Sequence, residues 1–514
     1  MLAGVVAACV SHQPGAGPPD DHRSGVTADR EVAHALSDVA VEHPGELLLL
    51  PHGVAESVGS VTIAWLSSDD DLDVLCGLPR LETLTIKQAF TTRVELSCEF
   101  PRLEQLTVAG AAVQGVAPNA SLPALIELRV SDTSVTGIAG LPSAPQLRSL
   151  SMDSVPHFSW EQLRSFSGLE HLSARDTDFS DVDLAALVGL PLRTLDLSYT
   201  KLSTLKHLAE MRTLLTLSIN GVDLQDGALK RIPESVAELS LINLEIDPSD
   251  LAHLAQVSKL TLNASRLPDV TLLPLPKLRQ LALRGADVRA LSVGSSQLQI
   301  LDATAAARLQ QIECIPGCAP EVLRLSETVV SSMPAQMSLA NLHTLSLDHT
   351  LLADFGFLEQ SVRLRELSLG HTSIVDLTVL STAQELVSLD IRCTDVDNLA
   401  PISELDLSEV VASGTHITVI PARLLRSLTM LDLYNTPLAS LAGEVEHCAL
   451  RRLDLAYTDF HDLGRLGACV ELQSLQLCGA GGRAVRAVEV SPVLRAAVDR
   501  ECQAVGFIDE CIRP

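Results

Sequence analysis

Aromatic residues are scarce in this sequence: two Trp, three Tyr and nine Phe, or 3% of 514 residues. A hydrophobic fraction of 46% must therefore come mainly from Leu, Val, Ile and Ala. Basic charge is also short, with 37 Lys and Arg against 64 Asp and Glu and a net charge of -27. Such a surface repels nucleic acid and anionic membrane and favours solubility. No apolar run reaches the ~18 residues that span a bilayer, and ELLLL (46–50) is far too short. No glycine-rich phosphate loop is present, since GAGG (479–482) lacks a strand-to-helix context and reads as a turn. No CxxC pair occurs among the eleven cysteines, which are scattered and odd in number. Scattered thiols favour a reducing compartment and hence the cytoplasm. Cys314 and Cys318 (CIPGC) have zinc-like spacing but no second pair.

What the sequence has instead is one line written many times. Copies of LxxLxLxxTxL start at 81, 103, 125, 147, 169, 192, 214, 236, 257, 278, 298, 320, 342, 364, 386, 407, 428, 450 and 472. A degenerate copy precedes them near Val58. The steps are mostly 22 residues, so the chain is a repeat array rather than three or four ordinary domains. Residues 320–472 are the most regular, while 214–320 are looser and partly alanine-rich.

Within RELSLGHTSIVDL (365–377), Leu367 and Leu369 alternate with Glu366 and Ser368. That period of two predicts a strand with one buried face. Leu364, Ile374, Leu377 and Leu380 complete the inward set as the chain turns back. About five buried side chains per coil contribute on the order of 1.5–3 kcal/mol each before entropy is subtracted. One coil alone buries nothing, so coils must stack into a parallel sheet with rungs ~4.8 Å apart. The remaining half-coil has room for turns or 3-10 helices, not long helices.

The pattern resembles the leucine-rich repeat family, in the 22-residue class of internalins and phosphatase-regulatory repeat proteins. VDNLAPIS (396–403) is close to an internalin phrase. The resemblance implies an α/β fold: a right-handed solenoid, a horseshoe with its parallel sheet on the concave face and short turns or 3-10 helices on the convex face. It covers roughly residues 58–485. The family carries Asn or Cys at position 9 of the repeat. This chain has Thr133, Thr177 and Thr200, then Thr328, Thr350, Thr372, Thr394, Thr415, Thr436 and Thr458 in succession. A threonine hydroxyl can supply part of the family's structural ladder, and its branched Cβ packs against the coils on either side.

Four segments follow: a leader or tether (1–26), an N-terminal capping region (27–57), the solenoid (58–485) and a C-terminal cap and tail (486–514). TADREVAHALSDVAVEH (27–43) reads as an amphipathic capping helix with Thr27 as N-cap, and Ser491-Pro492 opens a second that Gly506 closes. Cys502 and Cys511 in that cap read as buried thiols, or as a disulfide only if the protein is exported. Val6-Ala7-Ala8-Cys9 resembles a bacterial lipoprotein cleavage box, but no basic segment precedes it. Asn119 and Asn263 match the glycosylation sequon.

Positions 3, 5, 7 and 8 of each repeat are expected on the concave face. Position 5 is a hydroxyl stripe that turns acidic toward the C-terminus, with Asp390, Asp432 and Asp454 in one column. Tyr434 and Tyr457 sit beside it, and Arg392 is a nearby base. These six residues form the expected contact surface, for a protein partner with a basic patch. His349, His371 and Cys393 share position 8 in adjacent repeats and could converge on a metal. The reading is a monomeric, non-catalytic interaction scaffold without a cofactor. A surface-anchored lipoprotein or adhesin remains an alternative, as does a metal-dependent or hydrolytic protein using the His349/His371/Cys393 row.

Overall fold

A computed structural model describes residues 37–118, 122–137, 144–315, 317–334 and 336–477. They fall into two compact units, one running to 127 with 144–146, the other comprising 128–137 and 147 onward. The leader, Thr27, the C-terminal cap, Cys9, Cys502, Cys511 and Asn119 lie outside the described residues.

In the first unit the strands Asp38–Val41, Ser60–Leu66, Thr83–Ala89 and Gln105–Ala109 pair in parallel, each with the next. Val61, Ile63, Leu84, Ile86 and Val108 form its inward face, all fully buried. The first strand corrects the capping-helix expectation over 38–41. Asp38 pairs with Ser60, 22 residues on, so this segment is itself one coil. Its DVAV alternation buries Val39 and exposes Asp38, and the open edge of Ser60–Ile63 recruits it. The repeat therefore starts one coil before Val58. Return paths here include the 3-10 helix Leu72–Gly77, capped by Asp71, and a second parallel ladder of Arg93–Leu96 with Gly115–Pro118.

In the second unit every strand of the main sheet from Ser149–Ser151 to Ser474–Gln476 pairs in parallel with the next strand of that sheet. Each is only three residues long, and the Leu or Val at position 4 is buried in every copy. Most coils return through 3-10 helices such as Leu377–Leu380, where Asp376 accepts from Thr378 N at 2.9 Å. In the looser stretch, Val270–Leu273, Ala290–Val293 and Gln311–Cys314 form a second ladder instead. Two of these coils are one or two residues short of 22, and an extended segment covers more distance per residue than a 3-10 turn. Their looseness in sequence is a change of return path; the main sheet continues through them in register.

The bend that ends each strand explains the threonines. Position 8 adopts left-handed backbone in copy after copy, including Asp132, Ser154, Asp176, Tyr199, Asn243, Ala264, Glu327, His349, His371, Cys393, Asn435 and Tyr457. Its N–H nevertheless stays in the ladder: His349 N donates to Gly370 O and His371 N to Arg392 O, each at 2.9 Å. The next residue, threonine, turns inward. Thr350 Oγ1 donates to Leu347 O at 2.7 Å, Thr372 to Leu369 O at 2.6 Å and Thr394 to Ile391 O at 2.7 Å. Thr328, Thr415, Thr436 and Thr458 do the same within their own coils. Each hydroxyl thus closes its own bend, and its bond does not run to the neighbouring coil. Thr133 is buried with a hydroxyl that has no hydrogen-bond partner.

Position 7 supplies side-chain ties between coils. Asp348 Oδ1 accepts from Gly370 N at 2.8 Å and from Ser368 Oγ in the next coil, while its Oδ2 accepts from Ser326 Oγ at 2.8 Å in the preceding one. Asn220 links Ser198 to Ser240 and Ile242 in the same way. Asp348→Ala removes acceptors from three groups at once and is expected to cost about 1–3 kcal/mol, read as a lower chemical-denaturation midpoint.

Candidate functional site

The strand Ser388–Asp390 pairs with Glu409–Val411, which pairs with Met430–Asp432, which pairs with Arg452–Asp454. The register puts Val411 between Asp390 and Asp432, so only Asp432 and Asp454 are direct neighbours in the column. Asp390 is also not a free carboxylate. Arg392 Nε donates to its two oxygens at 3.0 and 2.8 Å and Arg392 Nη2 bonds Oδ2. That pairing raises the Arg392 pKa first through the hydrogen bond, and the more distant charges of Asp348 and Asp432 add to it. Gly370 permits the arrangement: a Cβ there would come within 3.0 Å of both Arg392 Cγ and Asp348 Oδ1. The expected set thus divides into a self-neutralised pair, Asp390–Arg392, and an unpaired pair, Asp432–Asp454.

Position 5 acids have a structural duty that sequence reasoning missed. The backbone N–H of position 7 needs an acceptor. Asp432 Oδ1 takes it from Tyr434 at 2.9 Å, Asp454 Oδ1 from Ala456 at 2.8 Å and Asp390 Oδ1 from Arg392 at 3.0 Å. Where position 5 is not acidic, the preceding coil can supply the acceptor from position 7, as Asp153 does for Arg175 and Asp348 for Gly370. The acidic stripe is therefore partly a turn device. An Asp at 5, or an Asp or Asn at 7 one coil earlier, was the available signal.

Asp432 and Asp454 are half-buried rather than fully solvent-facing. Neither forms an ion pair among the described residues. Burial pushes the Asp454 carboxyl up to about 6, against the lowering effect of the Ala456 N–H, and the charge of Asp432 adds to the rise. Burial likewise raises Asp432, with Asp390 reinforcing and Arg392 opposing. A raised folded-state pKa favours the protonated native form. Its stabilising effect is therefore complete below the unfolded value near 3.9 and is lost as pH climbs through about 6. Asp454→Asn keeps the acceptor for Ala456 N and removes the charge. It is expected to raise stability by on the order of 1 kcal/mol at pH 7.5 and to change nothing at pH 4, in paired urea titrations.

Tyr434 and Tyr457 meet edge to face with centroids 5.4 Å apart, and Tyr457 is 54% exposed. Tyr434 is half-buried, and burial raises its pKa first, followed by Tyr457 and the two aspartates. The column and the tyrosines thus form one continuous patch.

The metal alternative is not supported at its proposed row. His349 and His371 stack at 3.9 Å, but Cys393 is disulfide-bonded and offers no thiolate. Among the described residues no group of three or more His, Cys, Asp or Glu is placed to hold a metal. The described cysteines are not free thiols: all seven are disulfide-bonded. Cys76 joins Cys98, Cys314 joins Cys318 and Cys448 joins Cys469. Separations of 22 and 21 match one repeat to within about a residue and bring the return segments of adjacent coils together, a signal that counting CxxC motifs overlooks. Asn263 Oδ1 accepts from Arg284 N at 2.8 Å, so the second sequon serves the turn. Among the described residues no helix is long and apolar enough to cross a membrane.

No family model and no curated protein matches the chain. Among solved structures it is similar to an internalin from Listeria monocytogenes at 17% identity, over 74% of this chain and 87% of that one, with a TM-score of 0.28. A leucine-rich repeat protein of Leptospira interrogans is similar at 16% identity over 94% and 100%, with a TM-score of 0.38. The plant peptide hormone receptor RGFR1, in complex with RGF2, is similar at 14% identity over 82% and 78%, with a TM-score of 0.47. The coil itself, with its parallel strand, inward threonine bend and short return path, gives the chain the fold of a leucine-rich repeat solenoid.

Proposed function

We propose that the chain is a non-catalytic scaffold that binds a protein partner on the C-terminal part of its concave face, and that the partner presents a basic patch. The observation that carries this reading is the pair Asp432–Asp454: two adjacent, half-buried carboxylates without an ion-pair partner among the described residues, beside an exposed tyrosine. Oδ1 of each closes its turn, and Oδ2 makes no hydrogen bond among the described residues. A Lys or Arg from a partner would relieve their repulsion, and Tyr434 and Tyr457 would supply apolar contact.

A direct probe is a basic peptide such as octalysine, followed by the partner recovered from source-cell extract and purified. The wild-type chain is expected to bind both in a salt-sensitive manner. Tyr457→Ala is expected to speed dissociation of the purified partner several-fold in surface-plasmon traces and to leave the melting midpoint unchanged, because its ring lies outside the core. Binding that ignores both the salt and the tyrosine would move the site elsewhere. One place for it is the recess of about 840 Å³ lined by Asp223, Lys230, Asn243, Asp250 and Arg266.

A further inference from the structure

We infer that the chain folds and works in an oxidising, extracytoplasmic compartment, where Cys76–Cys98 and Cys448–Cys469 are cross-links between successive coils. The scaffold reading does not depend on this, and the reverse also holds.

Three observations converge. First, both pairs join residues one repeat apart, with Cα atoms 5.7 and 4.7 Å apart, inside the range that a disulfide needs. The period of the coil, independent of any local motif, delivers the partners to each other. Second, the thiols are poorly placed to be mere core filler. Free cysteine is among the most buried residue types, yet Cys76 is exposed and Cys98 and Cys448 are half-buried. All three lie on return segments that solvent and an oxidoreductase can reach. Third, pairing is complete among the described cysteines. Cys314 is bonded to Cys318, Cys393 is bonded too, and none of the seven described cysteines is left as a thiol. Cys469 is buried, yet its partner Cys448 is reachable, as are both members of Cys76–Cys98; a reducing cytosol would hold pairs with a reachable sulfur open, whereas an oxidising space closes them.

The chemistry balances as thiol–disulfide exchange. The thiolate of one cysteine attacks a disulfide of an oxidoreductase, forming a mixed disulfide and releasing one thiol of that enzyme. The second cysteine of the pair then attacks the mixed disulfide. The coil keeps the new S–S bond and has given up two electrons and two protons, and the oxidant leaves as its dithiol. The consequence is mechanical. A coil in a repeat array is held only by its neighbours, so local opening can begin at any weak coil. A covalent tie makes two coils open together or not at all.

The test traps thiols at lysis. Source cells are broken into acid, and free thiols are alkylated before any reductant is added. The full-length chain is then digested and read by mass spectrometry. The expected result is linked peptides holding Cys76 with Cys98 and Cys448 with Cys469, with alkylation of these four only after reduction. Alkylation of all four without reductant would overturn the inference. A second measurement uses the purified full-length chain. Dithiothreitol is expected to lower the wild-type melting midpoint by several degrees, and Cys76→Ser with Cys98→Ser to reproduce part of that loss without reductant. An unchanged midpoint in both would also overturn it. If the serine variant does not fold, the trapped-thiol result on the wild-type chain decides alone.

Discussion

Leu369→Asp is expected to abolish the cooperative melting of the coils around it. Leu369 is fully buried, and its counterparts one coil away on either side, Leu347 and Ile391, are equally buried. The rungs are ~4.8 Å apart, so a carboxylate at 369 faces hydrocarbon above and below. Leaving a buried charge uncompensated costs about 3–5 kcal/mol, a large fraction of the stability of most domains. Because each coil depends on its neighbours, the loss should spread beyond residues 364–380. Circular dichroism melts and limited proteolysis read this directly, with cleavage near residue 369 in the variant only. Glu366→Gln, on the exposed side of the same strand, is the control and should shift stability by no more than about 0.5 kcal/mol. A Leu369→Asp melt that overlays the wild-type curve would mean that the inward register is misassigned.

The second large effect concerns binding. Asp432→Asn with Asp454→Asn preserves both turn acceptors and removes both charges. For the partner proposed above, the double change is expected to weaken affinity at least tenfold at low salt, mostly through slower association. The same loss should develop in the wild-type chain as pH falls through about 6, where Asp454 takes up a proton. The variant's affinity should be flat across that range. Native stability moves the opposite way over the same window, since protonation removes first the cost of a buried charge and then the repulsion from Asp432. A partner whose affinity tracked pH identically in both proteins would place the titrating group on the partner.

The repeat was legible because its signal is additive: nineteen weak copies in one register leave no other architecture, and strand, inward leucines and short returns all follow from counting. What stayed hidden depended on contacts one coil away. Asp390 reads as a free acid until Arg392, two residues on, folds back over Gly370 to neutralise it. Asp432 and Asp454 read as surface charge until the bend shows an amide that needs them. The strand at Asp38–Val41 was masked by a segment with helical periodicity, because the sheet edge that recruits it is not a local property. The cysteines were misjudged for the same reason: their spacing is meaningful only against the period of the array.

The left-handed residue at position 8 bears on how such a chain can change over time. A non-glycine residue there stores roughly 1 kcal/mol of backbone strain, and the array accepts that load with Tyr, His, Cys, Glu, Asp, Asn, Ser and Ala alike. The position has one fixed task, donating its N–H to the next coil, and a main-chain group performs it. Its side chain is thus decoupled from both register and core. Mutational drift along this column can rewrite the outward text of the solenoid without shifting a single rung. Gly221 shows the limit, since a Cβ there would lie 2.4 Å from the Tyr199 ring folded over it. With the Tyr199 ring folded over its neighbour, the vocabulary open at that next coil contracts to glycine, whereas the rings of His349 and His371 stack side by side and leave it wider.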